Sequence, residues 1–373
     1  MTADAATRPV RVLLTVPHLT PTMSPYREMV AIARYLPRDF RLVVCSLRSG
    51  GFDETAPVLR SMGIEVAVAR FRPRGRTSRH VFRSLQEQSM IEGLGPFHIQ
   101  HSLDFTSSPF EALLARMFRR RFVFSQSNHN ENGHRKLLRI KIALSHRIVA
   151  ISDSVHCFLL EQGARADRLR RVPLGIEAGL SEEQTLQRRA RRWDCILSVG
   201  QIFRLKRQED AIRAFAQVAG LWPRLRLRVA VAVIDPGYQR ELVQLARELG
   251  VADRVEFLGP QADVLELMEK ADCLLHCSER EALPWVVLEA MASGLPVITS
   301  AGGGSAEIVQ YGKNGLIVPV GDVIGYADSL RMLLTSPECG RSLAEEGLRT
   351  VRERYSARTM VESLASVYRE LAA

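Results

Sequence analysis

Two doubly wound α/β domains are predicted for this chain, and three observations carry the prediction. Short β-branched runs alternate with longer segments of helical period along the whole length. Most of the runs are continuously apolar, as expected of parallel strands buried on both faces. The rhythm occurs twice, on either side of a stretch at Glu177–Arg192 that is rich in Glu, Gln and Arg and has no strand pattern. At 373 residues the chain is long for one core and comfortable for two.

Taken in order, strands are predicted near 10–16, 41–46, 64–69, 97–101, 121–125 and 147–151. A second series follows at Cys195–Gly200, Arg226–Val233, Arg254–Gly259, Asp272–Cys277, Pro296–Ser300 and Gly315–Pro319. Helical period marks the intervening segments, among them Gln208–Ala219, Tyr238–Leu249 and Pro284–Ser293. The tail from Tyr355 to Ala373 reads as a helix, with Met360, Leu364, Val367, Tyr368 and Leu371 on one stripe. These elements give a first domain over 1–180 and a second over 190–354.

A hydrophobic fraction of 46% and a charged fraction of 25% exclude a disordered chain. No apolar run reaches the roughly 18–20 residues that cross a bilayer. The short polar start, Met1 to Arg8, leads straight into a strand-like run, which predicts a cytoplasmic protein. The six cysteines are scattered, most within apolar runs, and read as reduced core residues. Cys273-Leu-Leu-His276-Cys277 lacks a second ligand pair nearby and reads as a buried strand rather than a zinc site. Charge is uneven: residues 1–190 hold 29 Lys+Arg against 17 Asp+Glu, and the remainder hold 22 against 24. The basic first half points to an anionic partner such as a membrane surface, a lipid phosphate or a nucleic acid.

The stretch densest in chemistry is Ser278-Glu-Arg-Glu281-Ala-Leu-Pro284-Trp-Val-Val-Leu-Glu289-Ala-Met-Ala-Ser-Gly294. It opens at the C-terminal end of a predicted strand, where open α/β sheets bind ligands. Pro284 fits the first helical position, leaving the backbone N–H groups around it, at Leu283, Trp285 and Val286, to favour an anion such as a diphosphate. Glu281 before that helix and Glu289 inside it can accept from paired hydroxyls of a sugar and a ribose. Taken singly, either is more simply a surface Glu beside an amphipathic helix. One strand later, Gly302-Gly303-Gly304-Ser-Ala-Glu307 repeats the order of strand, glycine turn and helix start, with a backbone able to approach a ligand closely.

These motifs together resemble family 4 of the retaining GT-B glycosyltransferases, the glycosyl transferases group 1. The resemblance rests on the Glu281-x7-Glu289 spacing, Leu-Glu289-Ala-Met-Ala-Ser-Gly294-Leu-Pro-Val-Ile, the glycine loop to Glu307 and Asn314-Gly315-Leu-Ile-Val-Pro. Val199-Gly200-Gln-Ile-Phe-Arg204-Leu-Lys206 resembles the family's opening strand and Lys loop. Ile148-Val-Ala-Ile-Ser-Asp and Val172-Pro-Leu-Gly175-Ile-Glu177 resemble its domain junction, so the likeness covers about 145–373. It implies two Rossmann-like domains with an interdomain cleft, the acceptor on the first, the donor on the second, and the last helix returning to the first. It implies that Glu281 contacts the transferred sugar, Glu289 the ribose, and Lys206 the leaving diphosphate. No metal is implied, and the second half has no Asp-x-Asp element. Departures are Gln201 where the family often has Arg, which points to Arg204 as the second cation, and Ala282 in place of a frequent Gly. The first loop has no glycine before Gly50, so the hydroxyls of Thr20, Thr22 or Ser24 stand in for its donor contact.

The family also often places a His after the strand ending near Ser125. His129 takes that role, with His134 as the alternative; a solvated Asn- and Gly-rich turn is the plain reading of the same loop. His101 reads as structural. Arg116, Arg119, Arg120 and Arg121, with Arg70, Arg72, Arg74, Arg76 and Arg79, read as a solvated face over Leu113, Leu114, Met117 and Phe118 packed on the sheet; docking on anionic lipid is the sharper alternative. Nucleic acid fits poorly, because stacking aromatics are not interleaved with the charges. The predicted reaction moves a sugar from a nucleotide diphosphate, UDP by default and GDP as its rival, to an acceptor hydroxyl. Surface polysaccharide or glycolipid assembly at the inner face of the plasma membrane suits the basic half. A small-molecule or protein acceptor, or a nucleotide-sugar-binding scaffold without transfer, is the alternative.

Overall fold

A computed structural model describes residues 9–20, 24–69, 89–103, 106–129, 134–177, 193–230, 233–261 and 263–373. The chain divides into two compact units, Met1–Gly175 with Ala357–Ala373, and Ile176–Ser356. The predicted link over 178–192 lies outside the described residues, as do Thr22 and the arginines at 70–79.

In the first unit the described elements run β1 (Val10–Val16), α1 (Ser24–Tyr35), β2 (Phe40–Ser46), α2 (Phe52–Ser61), β3 (Glu65–Val68), β4 (Ile99–Ser102) and α3 (Phe110–Met117). They continue with β5 (Arg121–Gln126), α4 (Arg135–Leu144), β6 (Arg147–Ala150), α5 (Asp153–Glu161) and β7 (Leu169–Arg171). The sheet order is β3-β2-β1-β4-β5-β6-β7, and every pair is parallel. Leu13, Leu14, Val43, Val44, Phe122 and Val123 have no exposed surface, as expected of strands covered on both faces.

The second unit holds β8 (Cys195–Val199), α6 (Gln208–Ala219), β9 (Arg226–Ala230), α7 (Pro236–Glu248), β10 (Val255–Gly259), α8 (Val264–Lys270) and β11 (Cys273–His276). It ends with α9 (Trp285–Ala292), β12 (Val297–Ser300), α10 (Ser305–Ile308), β13 (Leu316–Val318), α11 (Val323–Thr335) and α12 (Pro337–Arg354). Its parallel order is β10-β9-β8-β11-β12-β13, reversing direction at β8 as in a doubly wound sheet. Asp235 and Asp322 cap α7 and α11 by accepting the N–H of the third residue of each helix, at 3.0 and 2.9 Å. The final helix, α13 (Ala357–Ala372), packs against α1 in the first unit and buries Met360, Leu364, Val367 and Tyr368.

Several expectations need correction. Pro284 is the N-cap of α9, with extended ψ of 107°, and not its first helical residue. The edge strand β7, Leu-Arg-Arg, has no apolar run to betray it. On α3, Leu113 and Met117 face solvent (48% and 58% exposed), because the face that packs on the sheet carries Ala112, Leu114 and Ala115. Arg120 is buried instead of solvated: it pairs with Glu92, donates to Gln100 Oε1 at 3.0 Å and stacks on Phe97 and Phe118. Cys45, Cys195, Cys273 and Cys277 are buried, whereas Cys157 is exposed and Cys339 half-buried.

Candidate active site

The C-terminal edge of the second sheet brings together three loops, after β8, β11 and β12. The β8 loop ends in a 3-10 turn at Arg204–Lys206, followed by Arg207 with φ of 48°. That left-handed backbone is unfavourable for any residue with a Cβ, and the pair of Arg207 with buried Asp210 at 2.7 Å helps hold it. Gln208 Nε2 donates to the Gln201 carbonyl at 3.0 Å and closes the loop from behind.

The β11 loop is tied to this turn through one acceptor. The Leu205 carbonyl takes the Glu279 N–H at 2.8 Å and the Ser278 hydroxyl at 3.1 Å. Lys206, next in sequence, points its ammonium at Glu281 Oε1. His276, the last residue of β11, approaches the same oxygen with Nε2 at 3.0 Å. The Lys206, Glu281 and His276 side chains are 20%, 14% and 4% exposed.

Burial alone would raise the Glu281 pKa, because it disfavours the charged form. The His276 hydrogen bond and the Lys206 charge overcome that effect and hold the carboxyl down at about 2. The site therefore carries a fixed negative charge at neutral pH, with a cation in contact.

The third loop explains the glycines. Glu281 and Gly303 form a parallel bridge, in which the Gly304 N–H donates to the Glu281 carbonyl at 2.8 Å. A Cβ at Gly302 would stand 2.6 Å from the Glu279 carbonyl oxygen. One at Gly303, where φ is 61°, would collide with the Glu281 carbonyl, and one at Gly304 with that of Ala282. In the structure these glycines make a close approach to the backbone that carries Glu281.

The other predicted residues are distributed as follows. Leu283 and Pro284 are buried, Trp285 and Glu289 are half-buried on the α9 segment, and Pro284 supplies no side-chain cap to that helix. Glu307 is half-buried on α10, its carbonyl accepting from Tyr355 at 3.1 Å. A Cβ at Gly200 would sit in ordinary contact with the Lys206 stem, 3.7 Å from Cδ. Arg204 turns away from Lys206 to pair with Glu241 at 2.6 Å over the Tyr238 ring. His129 belongs to the first unit, its ring edge-on to Phe158 at 5.8 Å; exposed His134 is the N-cap of α4. Thr20 is half-buried, and Ser24 opens α1. His101 is fully buried between Tyr368 (2.7 Å) and Ser125 (2.9 Å), in keeping with a structural reading.

Sequence reasoning missed His276. The residue was visible only as one polar letter at the end of an apolar run, and that position at the C-terminal end of a parallel strand was the available signal. Among the described residues no group of three or more His, Cys, Asp or Glu is placed to hold a metal ion.

This segment can now be placed among known proteins. Residues 187–350 match the profile of glycosyl transferases group 1. The N-acetyl-alpha-D-glucosaminyl L-malate synthase of Bacillus anthracis is 31% identical over 193 residues, 52% of this chain and 47% of that protein. The putative glycosyltransferase EpsD of Bacillus subtilis is 36% identical over 164 residues, 44% and 42% of the two chains. A D-inositol 3-phosphate glycosyltransferase of Saccharomonospora viridis is 30% identical over 243 residues, 63% and 53%. The chain thus spans about half the length of the curated relatives it matches. Anabaena Alr3699/HepE, solved in complex with UDP, superposes with a TM-score of 0.80 at 22% identity, covering 97% of this chain and all of that one. A Rickettsia africae glycosyltransferase gives 0.80 at 16% identity, covering 97% and 99%. The fold is of the GT-B class, two parallel-sheet Rossmann-like units.

Proposed function

We propose that the protein transfers a hexosyl or N-acetylhexosaminyl group from a nucleotide-diphosphate sugar to an acceptor hydroxyl, with retention at the anomeric carbon. The observation that carries the reading is the ionised, half-buried Glu281 held by Lys206 at the ligand-binding edge of a sheet within the family segment. In this reading Glu281 accepts from hydroxyls of the transferred sugar, and Glu289 from the ribose. Lys206 stabilises the charge that develops on the β-phosphate as the anomeric bond breaks. The second unit binds the donor and the first, with His129, the acceptor. UDP is the preferred nucleotide, supported by the HepE complexes with UDP and with UDP-glucose.

The acceptor we favour is carbohydrate or lipid-linked, in surface polysaccharide or glycolipid assembly on the cytoplasmic side of a membrane. No described helix is long and apolar enough to cross a bilayer. A peripheral contact fits the first unit, where Leu113 and Met117 on α3 and Leu137 and Ile140 on α4 are exposed beside Arg116, Arg135, Lys136 and Arg139. Each basic residue near an anionic surface contributes about 1 kcal/mol.

The test is incubation with UDP-, GDP- and dTDP-sugars and a panel of lipid-linked and soluble acceptors, reading product and anomeric configuration by NMR. We expect an α-linked product from one α-linked donor and a loss of roughly 100-fold or more in Glu281→Ala. Donor binding without turnover across the panel would instead mark a scaffold, and inversion would remove the retaining assignment.

A further inference from the structure

Two donors converge on one oxygen of Glu281. Lys206 Nζ and His276 Nε2 both meet Oε1, and among the described residues no protein group meets Oε2. We infer that His276 is a positioning residue, which fixes Oε1 beside Lys206 so that Oε2 is presented to a hydroxyl of the transferred sugar. The inference rests on the donor-binding reading above and deepens it.

The two anchors differ in kind. A lysine ammonium is a point charge on a flexible stem with three rotatable donors, and it holds either carboxylate oxygen equally well. It would neutralise Glu281 without orienting it. His276 is set differently: its backbone is fixed in β11 opposite Thr299 of β12, and its ring is almost wholly buried. A carboxylate only accepts, so Nε2 must carry a proton, which gives the bond one direction. A planar donor on a rigid strand selects one oxygen and one rotation of the carboxyl group.

The arrangement matters most once a donor is bound. In the proposed reaction the leaving diphosphate draws on Lys206, and the charge that Lys206 lends to Glu281 is then shared with the phosphate. His276 remains as the partner whose geometry the nucleotide does not disturb. Burying an imidazole merely to fill space is costly where an apolar chain would serve, and its alignment on Glu281 offsets that cost.

The test compares His276→Leu, nearly isosteric and apolar, with His276→Gln, whose side-chain amide can donate from a similar place. Binding of UDP and UDP-glucose is measured by calorimetry on the full chain, with GDP and GDP-mannose in parallel, alongside the thermal midpoint. We expect His276→Leu to bind the free nucleotide within twofold of wild type. Its affinity for the nucleotide sugar should fall about 10- to 100-fold, and His276→Gln should recover most of that loss. Equal loss for nucleotide and nucleotide sugar, no loss, or His276→Gln matching His276→Leu would each overturn the inference while leaving the function intact. Failure of wild type to bind any nucleotide or nucleotide sugar would overturn the donor-binding reading, and this inference with it.

Discussion

Two cations two residues apart in sequence, Arg204 and Lys206, separate once their side chains are followed. Lys206 is four-fifths buried against Glu281, whereas Arg204 is 65% exposed on Glu241. A surface pair of the latter kind contributes little. The Lys206 charge, in a water-poor pocket, acts at a higher effective strength. Lys206→Met should therefore lower kcat of the proposed transfer by about 100-fold or more, and Arg204→Ala by far less, as read from steady-state kinetics with one nucleotide sugar. Equal losses would mean that Arg204 swings inward on donor binding. In the sequence Glu281 stood out by its place between a strand end and a helix, and Lys206 by the family resemblance, but nothing there joined the two as a pair. The sequence did not reveal His276, because a strand written as Cys-Leu-Leu-His gives no sign of which loop its last side chain will meet. Nor did it show the Arg204–Glu241 pair, a contact made across 37 positions.

At the level of elements, the strands that were easiest to read are those buried on both faces, such as Cys195–Val199 and Val297–Ser300. Edge strand β7 escaped notice because half of its surface is wet and its letters are charged. The glycine turn between β12 and α10 lies where the sequence placed it, and its composition gains a further reason, since glycine answers equally to a ligand or to a neighbouring backbone. The structure supplies a backbone. Gly303→Ala and Gly304→Ala should push the Glu281–Ala282 backbone aside, costing on the order of 2–4 kcal/mol of stability and most of the donor affinity. Gly312 also has positive φ, 71°, but its Cβ position is open. Gly312→Ala should cost only about 1 kcal/mol and leave donor binding alone. Chemical denaturation followed by tryptophan fluorescence suits this comparison, because Trp193, Trp222 and Trp285 all belong to the second unit. A Gly304→Ala protein as stable as wild type would show that the turn has slack.

The molecule as a whole is knit by a helix that returns. α13 follows the second unit in sequence yet completes the first, and its Tyr368 closes a buried polar chain of Glu28 on α1, Ser125 on β5 and His101 on β4. Burial pushes Glu28 up from 4.5 to about 7, against a smaller opposing effect from the Ser125 hydrogen bond. Burial, with the charge of Lys141 on α4, pushes His101 down from 6.5 to about 3. The two act in opposite directions. Folded Glu28 keeps a proton that the unfolded chain releases above pH 4.5, so its contribution is present below that pH and is lost as pH rises through 7. His101 refuses a proton that the unfolded chain takes, so its contribution is present above pH 6.5 and is lost as pH falls toward 3. Between 4.5 and 6.5 the slopes largely cancel. Replacing Glu28 by Gln removes one of them. At pH 8 the variant should make the first unit more stable by about 3 kcal/mol, and near pH 4 the gain should vanish. Its stability should rise steadily with pH through the range where wild type is flat. Because the tryptophans report on the other unit, the measurement is amide exchange in β4 and β5 at pH 5 and pH 8, corrected for intrinsic rates. Equal protection of variant and wild type at pH 8 would mean that the fold does not raise the Glu28 pKa, its charge being met by the Ser125–His101–Tyr368 chain.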